Sequence, residues 1–219
     1  KGGVWTIVTA PRPQNLKFGV DALAAPDIQL HFMPALEKTA NLHWPNPFRR
    51  SRVEDDHGMT IRVGPVNPQS RGRITLRSAN PSDPPRIRAN YLSAEIDKET
   101  TIAGVNIVRE VMAQPAFADI LGDEISPGPA HTSAAELRTW LKQAGGTTLH
   151  PVGTCKMGDD DDAVVDAELK VRGIAGLRVA DASIMPIISS GNTNAPTIMI
   201  GEKAADMILK TNGKAELNS

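Results

Sequence analysis

The spacing between hydrophobic positions changes along the chain, and each change predicts a different element. Ile74 and Leu76 alternate with Arg73, Thr75 and Arg77, the period of two expected of a strand with one face buried and one wet. Short β-prone runs occupy residues 4–8, 27–32 and 59–64, and Pro11, Pro13, Pro26 and Pro34 punctuate the first two. From Ser93 the period lengthens. Ile96, Ile102, Val105, Val108, Val111 and Met112 recur at helical spacing until Pro115 stops them. Ser133-Ala-Ala-Glu136 is a capping box that predicts a second helix, ended near Ala144 by Gly145-Gly146. Leu177-Arg-Val-Ala-Asp181 predicts a buried strand, and residues 195–209 a terminal helix with Pro196 in its first turn. Strands followed by separated helices predict an α+β layer, a mostly antiparallel sheet flanked by helices. After Leu149 the texture turns to Gly/Pro turns and short apolar runs, which divides the chain into 1–148 and 149–219.

Composition narrows the function. The 219 residues are 40% hydrophobic and 22% charged with a net charge of −1, enough for a real core and without the basic footprint of a nucleic-acid binder. No apolar run approaches the roughly 20 residues of a membrane helix, and no signal-peptide pattern is read. The single cysteine, Cys155, excludes an internal disulfide and points to a reducing, cytoplasmic location. Lys1-Gly-Gly-Val-Trp5 reads as mid-protein sequence, so a fragment or one product of a split polypeptide is expected.

The candidate chemistry lies in Leu149-His-Pro-Val-Gly-Thr-Cys-Lys-Met-Gly158 and Ser190-Gly-Asn-Thr-Asn-Ala-Pro196. Pro151 biases His150 towards extended backbone, while Gly153 and Gly158 permit close backbone approach. A histidine presented this rigidly suits a general base, although a histidine satisfied in a buried turn has the same sequence. Asn192 or Asn194 fits a helix N-cap equally well; the positive end of that helix would also face an electron-rich group. The acidic run Asp159 to Asp162 lacks the glycine and glutamate of a calcium loop and reads as a solvated turn. No metal site is expected, because His31, His43, His57 and His131 lack ligand spacing and Cys155 has no second cysteine. Trp44 and Phe48, in a Pro-rich loop at 41–52, are candidates for a pocket wall, and Arg49-Arg-Ser-Arg52 for a solvated basic patch.

Three segments together carry a resemblance. His150-Pro-Val-Gly-Thr-Cys-Lys-Met-Gly158, Val179-Ala-Asp-Ala-Ser-Ile-Met-Pro186 and Ser190-Gly-Asn-Thr-Asn-Ala-Pro196 resemble the C-terminal signature of the glucose–methanol–choline (GMC) oxidoreductases, in particular the choline dehydrogenase-like members. Asp27-Ile-Gln-Leu-His-Phe32 and Ser70-Arg-Gly-Arg-Ile-Thr-Leu-Arg-Ser-Ala-Asn-Pro81 resemble the family's substrate-domain strands, so the likeness is collinear from about Asp27 to Lys210. It implies a substrate-binding domain over 1–148. It further implies a segment at 149–219 that carries the catalytic histidine and completes the FAD-binding lobe. By the resemblance His150 is the catalytic base and Asn194 the second polar group, and Thr148 lines the pocket. Asp181 and Ala182 lie along FAD, and Asn192, Thr193 and Ala195 flank its flavin.

The implied reaction is oxidation of a primary alcohol by hydride transfer to flavin N5, with His150 taking the hydroxyl proton and Asn194 bonding the developing alkoxide. The family's G-x-G-x-x-G fingerprint is absent from the chain. The chain is therefore expected to bind FAD weakly alone and to need an N-terminal FAD-binding portion, uncut or as a second chain. A hydroxynitrile lyase-type activity on the same fold and a non-catalytic module are the alternatives.

Overall fold

The computed structural model describes residues 7–10, 26–34, 36 and 58–216. The loop at 41–52 with Trp44, Phe48 and its arginines, His43 and His57 lie outside the described residues. The architecture is α+β. The described chain forms two compact units, one of residues 1–72 and 89–148, the other of 73–88 and 149–219. The expected division ran straight through at Leu149; the structure groups residues 73–88 with the later segment.

In the first unit, the apolar run after Asp27 becomes the central strand of a three-stranded antiparallel sheet. Strand β2 (Ile28–Met33) lies between β1 (Ile7–Ala10) and β3 (Thr60–Pro65), with Leu30 opposite Val8 and Val63. Ile28 and Leu30 are buried against Ala103, Ile107 and Val108 of helix α1 (Glu95–Met112). A neighbouring face of α1, Ile102 and Val105, packs on Leu137 and Leu141 of helix α2 (Ala134–Ala144). The helical spacing read from the sequence thus serves two neighbours, the sheet and α2. Full burial of a leucine such as Leu137 is worth about 1.5–3 kcal/mol. Gly104 sets the helix–sheet distance, since a Cβ there would meet Val63 Cγ1 at 2.3 Å.

The start of α1 is held from a distance. Its N-cap, Ala94, offers no side-chain acceptor, and Ser70 Oγ accepts from Ala94 N instead at 3.0 Å. Ser70 is in turn fixed by Asp97, whose buried carboxylate accepts from Gln69 N, Ser70 N and Ser70 Oγ at 2.8, 2.8 and 2.5 Å.

At α2 the capping box forms as read. Ser133 Oγ accepts from Glu136 N, and Glu136 Oε2 accepts from Ser133 N and Thr132 N at 2.8 and 3.0 Å. The backbone N–H of Ser133, then its hydroxyl and the N–H of Thr132, hold the Glu136 carboxyl at about 2 against an ordinary 4.5. A carboxyl lowered on folding stabilises the native state above its unfolded pKa, and that contribution drains away as pH falls towards the folded value. Glu136→Gln should therefore lose less stability than wild type between pH 4.5 and about 2. Superimposable acid-unfolding curves for the two proteins would contradict this.

The second unit holds strands β4 (Arg73–Thr75) and β5 (Arg86–Arg88), an antiparallel hairpin with Ile74 opposite Ile87. The alternation at 73–77 predicted one buried face. Instead Ile74 is 49% and Ile87 69% exposed, because no described residue covers that face. Residues 177–181, predicted as a buried strand, form only an isolated bridge between Lys170 and Arg178, and Leu177 is exposed. The terminal helix α3 spans Asn194–Glu216, longer than predicted. Its Ile200 and Ala204 share a core with Val165, Leu169, Ile184 and Met185. Among the described residues no helix is long and apolar enough to cross a membrane, and no cluster of His, Cys, Asp and Glu is placed to hold a metal ion.

Candidate active site

The segment carrying His150 is fixed by its backbone. Leu149 has φ 64 and Gly153 φ 89. Leucine adopts this left-handed region only at a cost of roughly 1–2 kcal/mol, whereas glycine suits it. A Cβ on Gly153 would stand 3.3 Å from the carbonyl oxygen of Met185. Further along, Cys155 N donates to Ser183 O at 3.0 Å and Met157 N to Ile184 O at 2.7 Å. These bonds clamp the histidine segment onto a short 3-10 turn, Ala182–Ile184, opened by Asp181, whose carboxylate accepts from Ser183 N. Beneath the turn, Ile184 and Met185 join the core that anchors α3, with Val152 and Met157 packed against it.

This anchoring brings the mouth of α3 to His150. Thr193, 8% exposed, precedes the first helical residue, and its carbonyl accepts from Thr197 N at 3.0 Å and Thr197 Oγ1 at 2.6 Å. His150 Nδ1 lies 3.1 Å from Thr193 Oγ1, and His150 Nε2 lies 3.0 Å from Asn192 Nδ2. Both nitrogens of a half-buried imidazole are therefore engaged by consecutive residues of the second motif. Ser190, with φ 52, turns the chain into that motif.

The structure thus joins His150, Asn192 and Thr193. Asn194 and Ala195 are exposed at the first turn of α3. Among the described residues no hydrogen bond links Asn194 to His150; the carboxamide at the imidazole is that of Asn192. Asp181 and Ala182 sit at the start of the 3-10 turn. Thr148 belongs to the first unit, exposed, with its methyl 3.8 Å from the point a Cβ on Gly64 would occupy. Sequence reasoning missed the bond from the imidazole to Thr193. The available signal was a threonine ahead of a helix whose third residue, Pro196, has no N–H to cap.

The acidic run is a solvated turn, with Asp160 accepting from Lys156 Nζ and Asp162 N. Cys155 is half-buried.

Known proteins resemble this chain in sequence and in fold. An oxygen-dependent choline dehydrogenase from Vibrio vulnificus is 45% identical over 186 residues, which is 84% of this chain and 32% of the relative. An alcohol dehydrogenase [acceptor] from Pseudomonas putida is 44% identical over 194 residues, 89% of this chain and 34% of the relative. The chain therefore spans about one third of the length of these relatives. Among solved structures, formate oxidase from Aspergillus oryzae RIB40 superposes with a TM-score of 0.74 at 30% identity, covering 88% of this chain and 33% of that one. Pyridoxine 4-oxidase from Mesorbium loti gives 0.71 at 29%, covering 83% and 34%. The family model described as GMC oxidoreductase matches residues 68–201, a span that holds the hairpin, the histidine turn and the mouth of α3. By that match and these identities, the chain belongs to the GMC oxidoreductase family.

Proposed function

We propose that the complete protein oxidises a primary alcohol with FAD, and that this chain supplies the catalytic base and part of the substrate pocket. The observation that carries the reading is His150, bonded at both ring nitrogens at the mouth of α3 within the family-matched span. The choline and alcohol dehydrogenase relatives support the reaction class, and FAD is named for the formate oxidase.

The residues present suit one edge of such a cofactor. Asn194 and Ala195 open α3 exposed, with backbone N–H groups at the positive end of the helix, which favours an electron-rich ring edge. Asp181, Ala182, Asn192, Thr193 and Ala195 are the residues proposed to hold it. FAD, when bound, supplies the acceptor for the hydride of the carbinol carbon. His150 Nε2 takes the hydroxyl proton, which requires the alcohol oxygen within hydrogen-bond reach. Asn192, whose carboxamide Nδ2 faces Nε2, donates its N–H to that oxygen as negative charge grows there. The partner is an N-terminal FAD-binding portion, either continuous with this chain or a separate polypeptide.

The test joins this chain to the N-terminal portion of the Vibrio vulnificus relative. The chimera should bind flavin, and adding a primary alcohol without oxygen should bleach the flavin absorbance. Flavin that stays oxidised while substrate is cleaved would indicate a lyase. A chimera that takes up no flavin would leave the chain a non-catalytic module. Either result overturns the proposal.

A further inference from the structure

We infer that Thr193 is a positioning residue that selects the tautomer of His150, holding the proton on Nδ1 and leaving the lone pair on Nε2. The inference rests on the reading of His150 as the base and assigns Thr193 a task that contact with a cofactor does not require.

The donor and acceptor inventory of the three side chains leads to it. The Asn192 Nδ2 atom that faces Nε2 at 3.0 Å can only donate, so Nε2 accepts. A neutral imidazole that accepts at Nε2 carries its proton on Nδ1, and the atom within reach of that proton is Thr193 Oγ1 at 3.1 Å. Thr193 is buried, so water competes little for the contact.

The start of α3 explains why this hydroxyl is available. A threonine ahead of a helix ordinarily accepts from the N–H of the second or third helical residue. The third residue here is Pro196, which has no N–H, and the N–H of the second, Ala195, makes no bond to this hydroxyl among the described residues. The Thr193 carbonyl accepts the first intrahelical bond, from Thr197 N, and the Thr197 hydroxyl as well. The Thr193 hydroxyl is thus released from capping and given to the imidazole. β-Branching restricts its rotamers and keeps it aimed, while Ile200 and Ala204 lock the helix that carries it into the core.

The same geometry gives Asn192 a part. Its N–H group occupies the seat at Nε2 from which an alcohol O–H would donate. The exposed carboxamide of Asn192 gives up that seat when substrate arrives.

The tautomer can be read in the 219-residue chain without flavin, from the nitrogen-15 shifts of its histidines in alkaline buffer, where the neutral ring is observed. The His150 signals are assigned by their loss in His150→Gln. Wild type and Thr193→Ser should show the proton on Nδ1. Thr193→Val, which keeps the shape and loses the hydroxyl, should shift the population to Nε2–H with unchanged helix content. In the flavin-loaded chimera the valine variant should lower kcat about tenfold, the worth of one hydrogen bond, with little change in KM, and serine should restore it. Wild-type chain protonated on Nε2, or a valine variant with an unaltered tautomer, would overturn the inference. A tautomer shift without loss of kcat would overturn its catalytic use. Failure of His150 as the base shows separately, as an unaltered rate in His150→Ala.

Discussion

His150→Ala in the flavin-loaded enzyme is expected to slow alcohol oxidation by about 10²-fold or more, the scale of a general acid–base contribution. Without the imidazole, the hydroxyl proton has only water to receive it while the hydride departs. Flavin content should survive, because the backbone donors at the start of α3 and the 3-10 turn at Ala182–Ile184 are untouched. The substitution also removes the imidazole partner of the Asn192 carboxamide and of the Thr193 hydroxyl. His150→Gln, which keeps polar atoms in the site, controls for that loss and should be nearly as slow. Single-turnover bleaching of flavin by alcohol without oxygen isolates the chemical step. Unaltered bleaching in the alanine variant would remove His150 from the mechanism.

Asp97→Ala should be the costliest change away from the site, lowering unfolding free energy by about 3–5 kcal/mol given that hydrogen bonds to a charged group are worth about 1.5–3 kcal/mol each. Asp97 is 2% exposed, and one carboxylate holds two backbone N–H groups and the Ser70 hydroxyl that caps α1. Alanine leaves those donors partly buried without an acceptor, and the loop at 67–71 loses its tie to the helix. Asp97→Asn should recover only part of the loss, because its NH2 group would face another donor. Urea unfolding of the two variants, with the denaturant slope held in common, tests the size and the order. A loss below about 1 kcal/mol for alanine would show that water replaces the carboxylate without penalty.

The elements legible in the sequence are those whose cause is local. Ser133 and Glu136 satisfy each other across one helical turn, so that helix start can be read to the residue. The spacing of Ile102, Val105 and Val108 likewise announces a helix whatever covers it. The start of α1 was less legible, because its capping acceptor comes from Ser70, far back in the chain. Alternation at 73–77 gave the strand but not its burial, which depends on what packs against it and not on the strand itself. Residues 177–181 failed for a related reason. Apolar side chains can be read from sequence, whereas pairing partners for a strand cannot. At the candidate site, the two motifs singled out His150 and the mouth of α3, which the structure brings together. Which carboxamide reaches the imidazole was decided by the turn at Ser190 and the seating of Ile200 and Ala204, three-dimensional matters that placed Asn192 there.

Pro196 sets a trap for protein engineers. A proline in the first turn of a helix invites replacement by alanine, and the new N–H would offer the Thr193 hydroxyl a cap worth about 1 kcal/mol. A hydroxyl that rotates to take that cap turns away from the imidazole it orients. A screen that ranks variants by melting temperature would score that exchange as an improvement while the proton acceptor loses its alignment. Thermal tolerance and turnover compete here for a single hydroxyl group.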